Sequence, residues 1–75
     1  MKPLTPRQTE IVSLLRQGLT PQEAARRLGV KYGTVRHQLQ EARDRTGYRT
    51  TLQLVAAVKE DRLSLPGEDH QERKL

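Results

Sequence analysis

Arg36, His37 and Gln40 stand at i, i+1 and i+4 in a stretch whose apolar residues recur at helical spacing. Val35, Leu39 and Ala42 lie within about 60° of one another at about 100° per residue, so they share one face of a helix. With that face turned inward, the outward ridge is Gly33, His37, Gln40 and Asp44, flanked by Arg36 and Arg43. Such side chains suit the edges of base pairs. Arg pairs bidentately with guanine O6 and N7, Gln with adenine N6 and N7, and His donates or accepts. Gly33 costs about 1 kcal/mol in helix propensity relative to Ala. Close backbone approach to DNA and plain structural tolerance both account for it. Asp44 falls where a helix of this length would already be leaving a groove.

Around the ridge stand groups suited to phosphate rather than to bases. Lys31, Tyr32, Arg43 and Arg49 flank it, with Arg26 and Arg27 on the preceding segment. Groups of this kind position a protein on a duplex without reading sequence. For Tyr32, packing over the adjacent turn is the competing role. The charge distribution points the same way. Residues 26–49 hold seven basic and two acidic side chains, a local excess of +5 that equals the net charge of the whole chain. Residues 60–75 hold three basic and five acidic ones. A concentrated basic block fits a polyanionic partner, although charge alone is equally compatible with a merely solvated face.

The elements that must carry this ridge are punctuated clearly. Thr5-Pro6-Arg7-Gln8 and Thr20-Pro21-Gln22-Glu23 each offer a Thr N-cap, Pro at the first helical position and a Gln or Glu three residues after the cap. Thr50-Thr51-Leu52-Gln53 repeats the box without Pro. Each cap contributes on the order of 1 kcal/mol. Gly18, Gly29 and Gly47 supply stops. The pattern predicts an all-α, compact four-helix domain with helices at 6–17, 21–28, 32–46 and 51–63. The third start is the least clear, because Lys31 is a poor cap. Residues 1–63 read as the folded domain, and 64–75, opening on a Pro66-Gly67 breaker, as a polar, flexible tail. The segment 21–46 is a short helix, a tight Gly29-Val30-Lys31 turn and a longer helix: the helix-turn-helix layout, whose second helix enters the major groove.

Composition bounds the rest. Seventy-five residues make one domain, with aromatic residues limited to Tyr32 and Tyr48 and neither Phe, Trp nor Cys present. The core must come from Leu, Ile, Val and Ala, which suits packed helices. Ile11, Leu14, Leu15 and Leu19, then Ala24, Ala25 and Leu28, are its candidates on the first two helices. A chain without cysteine has no disulfide framework or thiolate metal site, and His37 and His70 do not make a metal cluster. No metal and no cofactor are expected. No apolar run approaches a membrane span and no signal-peptide h-region opens the chain, so the expectation is a soluble, cytoplasmic protein without membrane contact. The expectation is either a minimal regulator or a fragment of a longer one, with Met1 favouring the first without deciding it.

Several motifs together resemble one family. Leu4-Thr5-Pro6-Arg7 with Glu10-Ile11-Val12-Ser13-Leu14-Leu15 is similar to the opening helix of LuxR/GerE-type transcription regulators. Gly18-Leu19-Thr20 with Glu23, Ala25 and Leu28 resembles their scaffold helix, Thr34-Val35-Arg36 the hallmark of their recognition helix, and Thr50 through Ala56 the start of their fourth. The resemblance covers residues 4–60. It implies that Arg36, His37 and Gln40 face the bases and that Thr34 contacts phosphate. Three positions depart from the family. Gln8 stands where Glu is frequent, keeping the cap but not an ion pair. Gln38 occupies the place of a common His, and Lys31 that of a Ser cap.

The fourth helix carries a second stripe. Leu54, Val55 and Val58 would dock on the core, leaving Leu52, Ala56 and Leu63 with the stem of Lys59 roughly opposite. The resemblance implies a homodimer through this helix; covering the tail or another part of the core is the other use of the stripe. The leading expectation is a stand-alone, sequence-specific binder of double-stranded DNA that regulates transcription. The alternative is an RNA-polymerase-interacting module resembling sigma-factor region 4. An enzyme is not expected, because the chain holds no nucleophile–base constellation, phosphate-cradling glycine loop or metal set.

Overall fold

A computed structural model describes residues 2–60 and Leu63. Four helices follow one another: α1 (Pro6–Arg16), α2 (Pro21–Leu28), α3 (Tyr32–Thr46) and α4 (Thr51–Lys59). α1 and α3 each pack on all three other helices, whereas α2 and α4 do not meet. α3 is therefore held from three sides.

The predicted caps form, with one change. The Thr5 and Thr20 hydroxyls accept from the Gln8 and Glu23 backbone N–H groups, and the Gln8 and Glu23 side chains accept from the Thr5 and Thr20 N–H groups in return. At α4 the Thr50 hydroxyl accepts from Gln53 N–H at 3.0 Å, but Gln53 Oε1 reaches one residue further back, to Arg49 N–H at 3.0 Å. The third box is thus a cap with a displaced return bond. Lys31 gives α3 no side-chain cap bond. Gly29 ends α2 with φ at 71°, and Gly47 ends α3 with φ at 87°. An L side chain rarely adopts that left-handed conformation.

The core gathers Leu4, then Ile11, Val12 and Leu15 from α1, Ala24 and Ala25 from α2, Val35, Leu39 and Ala42 from α3, and Leu54, Val55 and Val58 from α4. Alanines at the α2 and α3 contacts let the backbones come close. Two core members, Leu4 and Val12, lie outside the apolar pattern read from the sequence. Leu4 is brought in by the N-terminal arm. Lys2 N–H donates to Arg45 O at 2.9 Å, and Arg45 Nε donates to Pro3 O at 2.8 Å, pinning the arm on the end of α3.

The fourth helix is shorter than its expected reach to 63. Glu60 leaves helical geometry, Leu63 N–H donates to Ala57 O at 3.1 Å, and the Leu63 side chain packs against the core. The stripe expected from Leu52, Ala56, Lys59 and Leu63 therefore loses its C-terminal member, which lies beyond the end of α4 and packs on the core. Leu52 and Lys59 are exposed and Ala56 half-buried. The expected tail, 64–75, lies outside the described residues.

Two polar side chains are buried among the described residues: Thr46, whose hydroxyl donates to Ala42 O at 2.8 Å, and Gln8, only 1% exposed. Its Oε1 accepts from Thr5 N–H at 3.1 Å, while its Nε2 donates to Gln38 Oε1 at 3.2 Å and Glu41 Oε1 at 3.4 Å. A single amide supplies both the acceptor for the cap and the donors for α3. A glutamate there would keep the cap but set a second carboxylate against Glu41.

Two predictions follow from these caps. Gln8→Ala strips α1 of its return bond and α1–α3 of its polar bridge, and should lower the unfolding free energy by about 1–2 kcal/mol. Urea midpoints read this, and an unchanged midpoint would mean the amide contributes nothing net. Glu23 is the second case. The hydrogen bond from Thr20 N–H, with the Arg26 charge adding to it, holds its carboxyl below the ordinary value of 4.5. A carboxylate with a depressed folded pKa contributes stability that is complete above its unfolded value and is lost as pH falls through the folded one. Stability should therefore drop more steeply below pH 4.5 in the wild type than in Glu23→Gln, which keeps an acceptor but does not titrate. Parallel slopes in thermal melts across that range would count against it.

Candidate nucleic-acid interface

α3 meets the core through Val35, Leu39 and Ala42, all under 5% exposed, and its rotation is thereby set. The opposite face emerges as the sequence pattern predicts. Gly33, Arg36, His37, Gln40 and Asp44 are exposed, and Arg43 is half-buried at the flank. Tyr32, Gly33, Arg36, His37, Gln40 and Arg43 line one depression, closed at its sides by Pro21 and Thr51. Those two residues open α2 and α4. The sequence marks both as helix starts through their threonine caps. That the starts bracket one surface follows only from the packing.

The exposed side chains are held by one another. The Arg36 guanidinium lies over the Tyr32 ring, 5.8 Å from its centroid. A contact of this kind at an exposed site is worth about 0.5–1 kcal/mol. Of the two roles open to Tyr32, phosphate contact or packing over the turn, the packing partner proves to be Arg36. The Gln40 amide is engaged at both ends: Arg43 donates to its Oε1 at 2.9 Å, and its Nε2 donates to Asp44 at 3.3 Å. Arg43 also donates to Arg49 O at 3.0 Å, tying the ridge to the turn before α4. His37 Nε2 stands 3.4 Å from Glu41 Oε2.

These contacts also engage the two carboxylates of α3. Glu41 faces Gln8 and His37, and Asp44 faces Gln40. Neither carboxylate lines the depression, whereas Arg36 and Arg43 do. The lining of the depression therefore carries basic side chains and no acidic one.

Not every expected contact residue gathers there. Lys31, Thr34 and Arg49 are exposed but do not line the depression, and Arg49 is tied to it only by the bond its carbonyl accepts from Arg43. Arg27 lies elsewhere, lining a second depression with Leu19, Glu23 and Arg26. The described residues include no group of three or more His, Cys, Asp or Glu side chains placed to hold a metal ion. No described helix is long and apolar enough to cross a membrane.

Comparison with known proteins gives one match. Residues 2–45 fit the model of sigma-70, region 4. No curated protein and no solved structure matches the chain. The matched span runs from the pinned arm through α1, α2 and nearly all of α3, and so takes in the helix-turn-helix. The transcription-type helix-turn-helix expected from the sequence stands, while the match does not extend to the LuxR/GerE assignment. With more than half of its length matched, the chain belongs to the sigma-70 region 4 family, a helix-turn-helix DNA-binding domain of transcription.

Proposed function

We propose that this domain binds double-stranded DNA sequence-specifically, with α3 in the major groove, and regulates transcription by doing so. The observation that carries the reading is the outward ridge itself. Arg36, His37 and Gln40 are exposed side by side on a helix whose opposite face is wholly buried. In this reading Arg36, His37 and Gln40 meet base edges. Lys31, Thr34, Arg43 and Arg49 meet phosphates on either side. Tyr32 serves mainly to hold Arg36, and Arg27 makes at most an outlying phosphate contact. Residues 1–63 are the binding unit.

Preorganisation supports the assignment. Side chains already held by neighbours lose less conformational entropy on binding than free ones. Arg36 over Tyr32 and Gln40 between Arg43 and Asp44 are such cases.

Two finer expectations are left with less support. A homodimer through Leu52, Ala56 and Lys59 has only a short apolar contact to offer once Leu63 is turned to the core, so the proposal is framed for the single domain. A LuxR/GerE relationship rests on shared motifs alone.

A second reading, engagement of RNA polymerase, draws support from the family match over residues 2–45. The two readings part in a simple assay. A polymerase pull-down that survives nuclease treatment, with no duplex shifted by the isolated chain, would favour the second.

The direct test begins with selection of bound sequences from random duplex DNA. Arg36→Ala should then weaken binding to the selected duplex about 5- to 100-fold, and to random duplex much less. Lys31→Ala should weaken both alike and reduce the slope of log affinity against log salt by about 1. Equal weakening of both duplexes by Arg36→Ala would remove it from base reading. No enrichment in the selection would overturn sequence-specific binding.

A further inference from the structure

Four glycines fall among the described residues, and three have an intramolecular reason to be there. Gly18, Gly29 and Gly47 all adopt positive φ. Gly33 does not. It sits in the first turn of α3 with helical geometry, and a Cβ built on it meets nothing within 4 Å. Neither backbone conformation nor crowding inside the domain requires a glycine at this position. Helix propensity argues against one, because glycine has more backbone freedom to lose on folding than any other residue.

The surroundings of Gly33 indicate what it leaves room for. Positions three and four apart share a helix face, so Gly33 lies one turn before Arg36 and His37 on the same side. All three line the depression on the basic face. The side chains beside it, Tyr32 and Arg36, are drawn together by their own contact. Gly33 is a bare stretch of backbone in front of the longest cations of the ridge.

We propose that Gly33 is a clearance residue: its missing side chain lets the α3 backbone come into van der Waals contact with the edge of a DNA strand. That approach sets the depth at which Arg36 and His37 enter the groove. The inference rests on the DNA reading above and adds to it a specificity-determining position that bears no functional group. A side chain at 33 holds the helix off by its own length, so the cost in binding grows with its size. The cost falls hardest on contacts that need depth.

Because the free domain gains nothing from this glycine, stability and binding should move in opposite directions. Gly33→Ala should raise the Tm of the isolated full chain by about 2–4 °C while weakening the selected duplex about 5- to 10-fold. Gly33→Gln, a good helix former with a longer side chain, should stay folded and weaken binding further. Loss of backbone flexibility alone would give both variants the same loss, so equal weakening would overturn the clearance. An undiminished affinity in Gly33→Ala would overturn it as well. Arg36→Ala, run alongside, separates the two levels of the argument. If it weakens the selected duplex while both Gly33 variants bind as wild type, the clearance falls and DNA reading stands. If the wild-type chain binds no duplex at all, both fall.

Discussion

The rotation of α3 about its own axis is the constraint on which this domain depends. Val35 and Ala42 are fully buried and Leu39 nearly so, in a core made mainly of aliphatic side chains. Turning the helix by one residue would carry Arg36 or Gln40 inward in place of a leucine or valine. Burying an unpaired guanidinium costs far more than a small domain has to spare. The outward ridge is therefore a consequence of the inward one. Because α1, α2 and α4 all press on α3, no single contact needs to be strong to keep the register.

A polar device adds to the apolar one. The Gln8 amide joins the first turn of α1 to the middle of α3, serving the Thr5 cap with its oxygen and Gln38 and Glu41 with its nitrogen. Such a group is costly to bury unless every partner is in place, so it favours one arrangement over its near neighbours. It also helps to occupy Glu41. Glu41 is shared between Gln8 and His37, and Asp44 meets Gln40, so neither carboxylate lines the depression although both stay exposed. The outer surface keeps the basic character that the net charge foreshadows.

The ridge is ordered by its own side chains rather than by burial. Tyr32 under Arg36, and Arg43 between Gln40 and the Arg49 carbonyl, hold long side chains at an exposed surface where they would otherwise be free. Gly33 contributes in the opposite way, by having no side chain to hold. A surface built from anchored cations and one bare patch of backbone suits a partner that carries negative charge and must come close. The family match over residues 2–45 places these features on the part of the chain that defines the helix-turn-helix.

Helix starts and stops were legible in the residues, because caps, N-terminal prolines and left-handed glycines act through bonds within one or two turns. Seven of the eight helix boundaries fall within a residue of their predicted places for that reason, as does the inner face of α3, which is a matter of spacing. What the residues alone left open all involves partners distant along the chain. Leu4 enters the core from an arm bonded to Arg45, and Leu63 leaves its stripe with its N–H on Ala57 O and its side chain on the core. Gln8 acquires a second task from Gln38 and Glu41, thirty or more residues away. That nothing in the domain crowds position 33 likewise emerges only from the packing. Local chemistry determined which segments are helices and which face of each is greasy. Packing decided which polar groups meet, since a hydrogen bond between helices depends on their relative placement, and no spacing along one of them encodes that.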